Sequence, residues 1–162
     1  MSEKITRATV VELARRWINT PYHHMGRIRG SGVDCAMMPL EVYLEAGLIC
    51  NPPEIPFYPL DWALHRNEEK YLDLVSSVVA DAGGVEVGGP LTRIPLPGDF
   101  LLFHFGRTYS HGAIVVDWPL CIHAHIRCGV VYVDMISEPK LAAKINTGDC
   151  KCFTFWESNN VR

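Results

Sequence analysis

The chain reads as one α+β domain over residues 1–162, with N-terminal helices packed on an antiparallel sheet of about five strands. Three observations predict this. Apolar residues recur at helical spacing through the first half, whereas the second half holds short alternating runs divided by tight turns, and such an order segregates helices from strands. Apolar residues make up 48% and charged residues 20% of the chain, the balance of a folded globular protein. A length of 162 residues lets one core bury most of its apolar surface without disulfides or structural metals.

From Thr9 to Asn19, Val10, Leu13, Ala14 and Trp17 form one apolar face opposite Glu12, Arg15 and Arg16, which is an amphipathic helix. It stops at Thr20-Pro21, because proline disfavours helix in the residue before it. A basic loop dotted with glycines (Tyr22 to Val33) leads to Asp34, a good cap for a second helix running to about Ala46 and ending at Gly47. Pro39 falls just past the first turn of that helix, where its missing N–H costs a bond to the Cys35 carbonyl. Asn51 to Pro59 carries four prolines and reads as extended; Asp61 to His65 begins a helical stretch, and Glu68 to Ala82 is a third helix faced by Leu72, Val75, Val78 and Val79. Strands are expected over Asp99–Phe105, Gly112–Asp117, Cys121–Ile126, Val130–Met135 and Lys151–Trp156.

A net charge of −3 excludes a strongly basic nucleic-acid binder. No run is long enough to cross a bilayer, and the polar start Met1 to Arg7 lacks the apolar stretch of a signal peptide. The expectation is synthesis in the cytoplasm, with free thiols at all six cysteines. Cys150 and Cys152 are one residue apart, which is not the spacing of a zinc knuckle. No cofactor and no metal is called for.

The chemistry gathers at Cys35. Its thiol follows Asp34 at the start of a helix, where unpaired N–H groups and the helix dipole are expected to favour thiolate. His111 heads one strand; His123 and His125 lie on the next and point to the same face. For either to share a face with His111, the Asp117-Trp118-Pro119 connection must hold an odd number of unpaired residues or a bulge. His65 is read as solvated; His23 and His24 could flank the cleft beside Tyr22, although a solvated loop is the simpler account. Arg27 and Arg29 could hold substrate carboxylates, although solvated loop charges are the simpler account.

Pro21-Tyr22, Gly32-Val33-Asp34-Cys35, Leu96-Pro97-Gly98-Asp99, Ser110-His111-Gly112 and Ile122-His123-Ala124 together resemble the NlpC-type family of papain-like cell-wall cysteine peptidases, over nearly the whole chain. Tyr58 to Trp62, Tyr-Pro-Leu-Asp-Trp, resembles its short branch from phages and prophages. The resemblance implies a papain-like fold and a catalytic set of Cys35, His111 and His123, with His125 a competitor for the orienting role. An oxyanion site from the Cys35 N–H and the Tyr22 hydroxyl is implied as well. The implied substrate is the peptide stem of peptidoglycan, cut between γ-D-glutamate and a diamino acid, with phage-tail proteins as partners that deliver the enzyme to the wall. Two other readings stand beside it: a structural tail-assembly protein on the same fold, and a thiol amidase or acyltransferase acting elsewhere.

Overall fold

A computed structural model describes residues 5–157 of the chain. The reading of Met1 to Lys4 as part of a leaderless start lies outside the described residues. The elements follow in the order α1 (Arg7–Arg15), β1 (Arg27–Ile28), β2 (Gly32–Val33), α2 (Met37–Ala46), α3 (Trp62–His65), α4 (Lys70–Asp81), β3 (Val85–Val87), β4 (Phe100–Phe105), β5 (Thr108–Asp117), β6 (Leu120–His125), β7 (Gly129–Asp134), α5 (Pro139–Asn146) and β8 (Cys150–Thr154). Six strands form one antiparallel sheet in the order β3-β8-β4-β5-β6-β7, while β1 and β2 make a separate small hairpin. The sheet therefore has six strands where the sequence suggests about five.

Side chains alternate along these strands and build a core on each face. Phe100, Leu102, Ile114, Val116, Ile122 and Phe153 meet Val10 of α1, Trp17 in the turn after it, Met38 and Val42 of α2 and Tyr71 of α4. Leu101, Phe103, Ala113, Val115 and Cys121 meet Leu141 and Ile145 on the other face. The second layer is a departure from the sequence reading, which places no helix after the sheet begins. α5 nevertheless carries its own start signal: the Glu138 carboxylate accepts from the Leu141 N–H at 2.8 Å, and Pro139 occupies the first turn.

Capping also moves α1. The Thr6 hydroxyl accepts from the Thr9 N–H at 3.2 Å, so the helix opens at Arg7 and closes at Arg15, earlier at both ends than expected. Asp99, fully buried in the turn before β4, accepts from the Leu96 N–H at 2.9 Å and pairs with Arg7 at 2.7 Å, which locks α1 to the sheet. Residues 118 and 119 alone separate β5 from β6, and the ladder shifts register between Val115 and Asp117. A bulge thus meets the parity condition that brings His111 and His123 to one face.

Candidate active site

The Asp34 side chain builds the turn that carries Cys35. Its Oδ1 accepts from the N–H groups of Ala36 (3.0 Å) and Met37 (2.9 Å), and its backbone carbonyl accepts from Met38 at 3.1 Å. Asp34 is therefore the functional cap, as the sequence implies. Regular helix begins only at Met37, since Pro39 has no N–H for the Cys35 carbonyl. The other carboxylate oxygen accepts from the Met25 N–H at 2.8 Å and the Tyr58 hydroxyl at 2.5 Å. Four donors thus satisfy a carboxylate that is only 1% exposed.

Tyr22 reaches the same place through the backbone. Val33 donates to the Pro21 carbonyl and accepts from the His23 N–H, both at 3.0 Å, so the Tyr22 loop is stitched beside the residue that precedes Asp34.

The Cys35 thiol lies against β5, donating to the Ser110 carbonyl at 3.5 Å. That carbonyl is free because the β4–β5 ladder shifts at Ser110: Phe103 pairs with His111, while His104 pairs with Tyr109. Burial pushes the thiol up to about 12, the Asp34 carboxylate adds to the effect, and the N–H groups of Gly112 and Cys35 oppose it. Desolvation and a neighbouring negative charge thus oppose the thiolate that the helix start favours.

His111 Nε2 and His123 Nδ1 share a hydrogen bond at 2.8 Å, with the rings edge to face at 82°. Phe103 and Phe105 pack around His111, their ring centroids 6.4 and 6.2 Å away. Burial, with smaller contributions from His123 and His125, lowers His111 to about 3; burial and His125 lower His123 to about 4. Both rings are neutral at pH 7, so one hydrogen lies between them. His125 makes no comparable bond to His111. Its ring centre lies 5.9 Å from that of His123, and its Nδ1 accepts from the Arg127 N–H at 3.2 Å.

Two cavities meet at Cys35. One, of about 160 Å³, is bounded by Asp34, Tyr58, Trp62 and Tyr71; the other, of about 620 Å³, by His111, His123, His125 and Leu141. Tyr22, Cys35, Ala63 and Ser110 line both and form the divide. The four residues expected from the sequence, Tyr22, Cys35, His111 and His123, are gathered on one cleft. Burial raises Tyr22 above the ordinary phenol range, which keeps its hydroxyl a donor.

The loop residues divide between the readings that the sequence left open. His24 is not simply solvated: its Nε2 bonds the Tyr58 carbonyl at 2.7 Å and its ring stands edge-on to Tyr58. Arg27 pairs with Glu41 at 2.5 Å and Arg29 with Glu45 at 3.3 Å, so both guanidinium groups already have carboxylates on α2. His65 is exposed, in line with its solvated reading, and pairs with Asp61. The six cysteines are free thiols. Among the described residues no group of three or more metal-ligating side chains is assembled, and no helix is long and apolar enough to cross a membrane. Sequence reasoning missed Tyr58 and Tyr71 as parts of the site. For Tyr71 the one available signal was the carbonyl that Pro39 leaves without a donor.

The sequence matches no protein-family model and no curated protein. The structure, by contrast, has the fold of NlpC/p60 domains. It aligns with the NlpC/p60 domain of the peptidoglycan hydrolase SagA at a TM-score of 0.51 and 22% identity, over 80% of this chain and 90% of that one. An NlpC/p60 family protein from Bacillus cereus aligns at 0.57 and 18%, over 86% of this chain and 38% of that one. A protein from Staphylococcus aureus described as similar to a lipoprotein of the NLP/P60 family aligns at 0.55 and 20%, over 88% and 40% respectively. The chain thus spans nearly all of the SagA domain but well under half of the two longer proteins.

Proposed function

We propose that this protein is a cysteine peptidase that hydrolyses amide bonds in the peptide stems of peptidoglycan. The observation that carries the proposal is a thiol on a capped helix start sharing one cleft with a hydrogen-bonded histidine pair. Supporting the substrate class are the NlpC/p60 fold and the description of one such neighbour as a peptidoglycan hydrolase.

His111 acts as general base toward Cys35. With hydrogen on its Nε2 donated to His123 Nδ1, its Nδ1 keeps a lone pair for the thiol proton. His123 acts through His111 and fixes its tautomer and ring orientation. As Sγ attacks the amide carbon, the proton passes to His111, and the developing oxyanion is held by the Cys35 N–H and the Tyr22 hydroxyl, each worth about 3 kcal/mol. Collapse of the adduct breaks the C–N bond, and the amine leaves with the proton from His111. Water, deprotonated by the same imidazole, then cleaves the thioester and returns the thiol. Because thiol and imidazole rest neutral, the proton moves as the S–C bond forms rather than before substrate arrives.

The bond between γ-D-glutamate and the diamino acid is the proposed target, and a phage tail the proposed vehicle that brings the domain to the wall. Incubation of purified sacculi with the protein, followed by mass analysis of released muropeptides, tests the reading. New termini at the diamino acid are expected. Intact sacculi would refute it and favour a structural role in the tail.

A further inference from the structure

Tyr71, on α4, donates from its hydroxyl to the Cys35 carbonyl at 2.9 Å. In an uninterrupted helix that carbonyl would receive the N–H of the residue four positions on, which here is Pro39. A donor from a different helix therefore fills the place that proline vacates. The tyrosine is only 7% exposed and comes from the far wall of the smaller cavity.

The same hydroxyl also presses on the strand that carries His111. A Cβ built on Gly112 would lie 2.4 Å from the Tyr71 oxygen and 2.6 Å from the Phe100 ring, closer than any side chain tolerates. Gly112 is the residue after His111 and two after Ser110, whose carbonyl accepts from the Cys35 thiol. The hydroxyl thus bridges two things whose relative placement decides whether sulfur meets imidazole: the backbone of the thiol residue and the strand position beside the histidine.

We propose that Tyr71 is a positioning residue, whose hydroxyl replaces the missing Pro39 N–H and holds the Cys35 turn in register with His111. The inference rests on the reading of Cys35 as nucleophile. Pro39 has a part in this arrangement: by lacking an N–H it leaves the carbonyl open to a residue from α4, so the thiol turn is tied to a third element as well as to its own helix.

A double-mutant cycle tests it, because Pro39→Ala restores an N–H that can take the carbonyl. Tyr71→Phe in the native background is expected to lower kcat on a stem peptide by about tenfold, the scale of one buried hydrogen bond, with KM little changed. In the Pro39→Ala background the same substitution should cost less than about threefold. Equal losses in both backgrounds, or no loss in either, overturn the proposal. If Tyr71→Phe alone fails to fold, recovery of folding by Pro39→Ala supports it, and an unfolded double variant refutes it. Iodoacetamide labelling of Cys35, mapped by mass spectrometry, gives a readout without substrate. Tyr71→Phe should change the labelling rate and Pro39→Ala return it toward the native value, so the cycle is decided even if the wild-type protein cleaves no stem peptide and the functional reading fails.

Discussion

Replacing Asp34 by asparagine should strip the Cys35 turn of half its support. The carboxylate is 1% exposed and divides its work: Oδ1 serves the Ala36 and Met37 N–H groups, Oδ2 the Met25 N–H and the Tyr58 hydroxyl. An amide keeps one acceptor oxygen and puts two N–H donors where the other oxygen was. Turned with its oxygen toward Ala36 and Met37, the amide leaves the Met25 N–H facing another N–H while the Tyr58 hydroxyl can rotate to accept; turned the other way, it orphans the Ala36 and Met37 N–H groups. One bond to a charged group is lost at a cost of roughly 1.5 to 3 kcal/mol, and the bonds that survive drop to the neutral range of about 0.5 to 1.5 kcal/mol each, so the total loss is about 3 to 6 kcal/mol. Against a total stability on the order of 5 to 15 kcal/mol this is a large fraction, and for a domain of this size it lowers Tm by roughly 10 to 20 °C. Urea unfolding followed by tryptophan fluorescence is the assay, with buried Trp17 and Trp62 as reporters. Tyr58→Phe alone should cost about 1.5 to 3 kcal/mol, and the double variant less than the sum, because both changes act on the same bond. An Asp34→Asn protein within about 1 kcal/mol of the native one would refute the assignment of this carboxylate as the organiser of the turn.

Three further outcomes are expected. Stability should fall as pH drops below 6.5, because His111 and His123 are lowered to about 3 and about 4 in the folded state and only the unfolded chain gains protons freely near 6.5. The contribution is complete above 6.5 and lost on acidification. At least about 2 kcal/mol should disappear by pH 5, read as a shifted urea midpoint, and a constant midpoint would contradict it. Labelling of Cys35 by iodoacetamide should climb steadily from pH 7 to 10, since burial pushes the thiol up to about 12; a plateau beginning in the acid range would instead reveal a resting thiolate–imidazolium pair. His125→Ala should leave kcat within about threefold while His123→Ala costs about a hundredfold or more, because only His123 bonds His111; similar losses in steady-state assays would overturn that distinction.

Much of the site was legible because its parts are local. Asp34 capping a helix start, Cys35 next to it and histidines on successive strands each follow from spacing of a few residues, and the bulge that puts His111 and His123 on one face was one of the two solutions parity allowed. The resting charge state was not legible. A helix start argues for thiolate, yet burial and the Asp34 carboxylate lie closer, and only packing reveals their weight. The layer of α5 was not legible, although Glu138, Pro139, Leu141 and Ile145 spell a capped amphipathic helix, because eight residues between two strands give barely two turns of periodicity. Tyr58 and Tyr71 could not be found by pattern, since their hydroxyls act on residues 24 and 36 positions away. His24 differs from them: its place in the loop beside Tyr22 left a cleft-flanking position open, and it lines the smaller cavity, tied to Tyr58.

The most direct measurement is the rate at which new amino groups appear from purified peptidoglycan with the native protein, Cys35→Ala and His111→Ala at equal concentration. Release by the native protein, and a drop of about a thousandfold or more in each variant with folding intact, is the predicted result. Undiminished release by folded Cys35→Ala would contradict the assignment of its sulfur as the nucleophile.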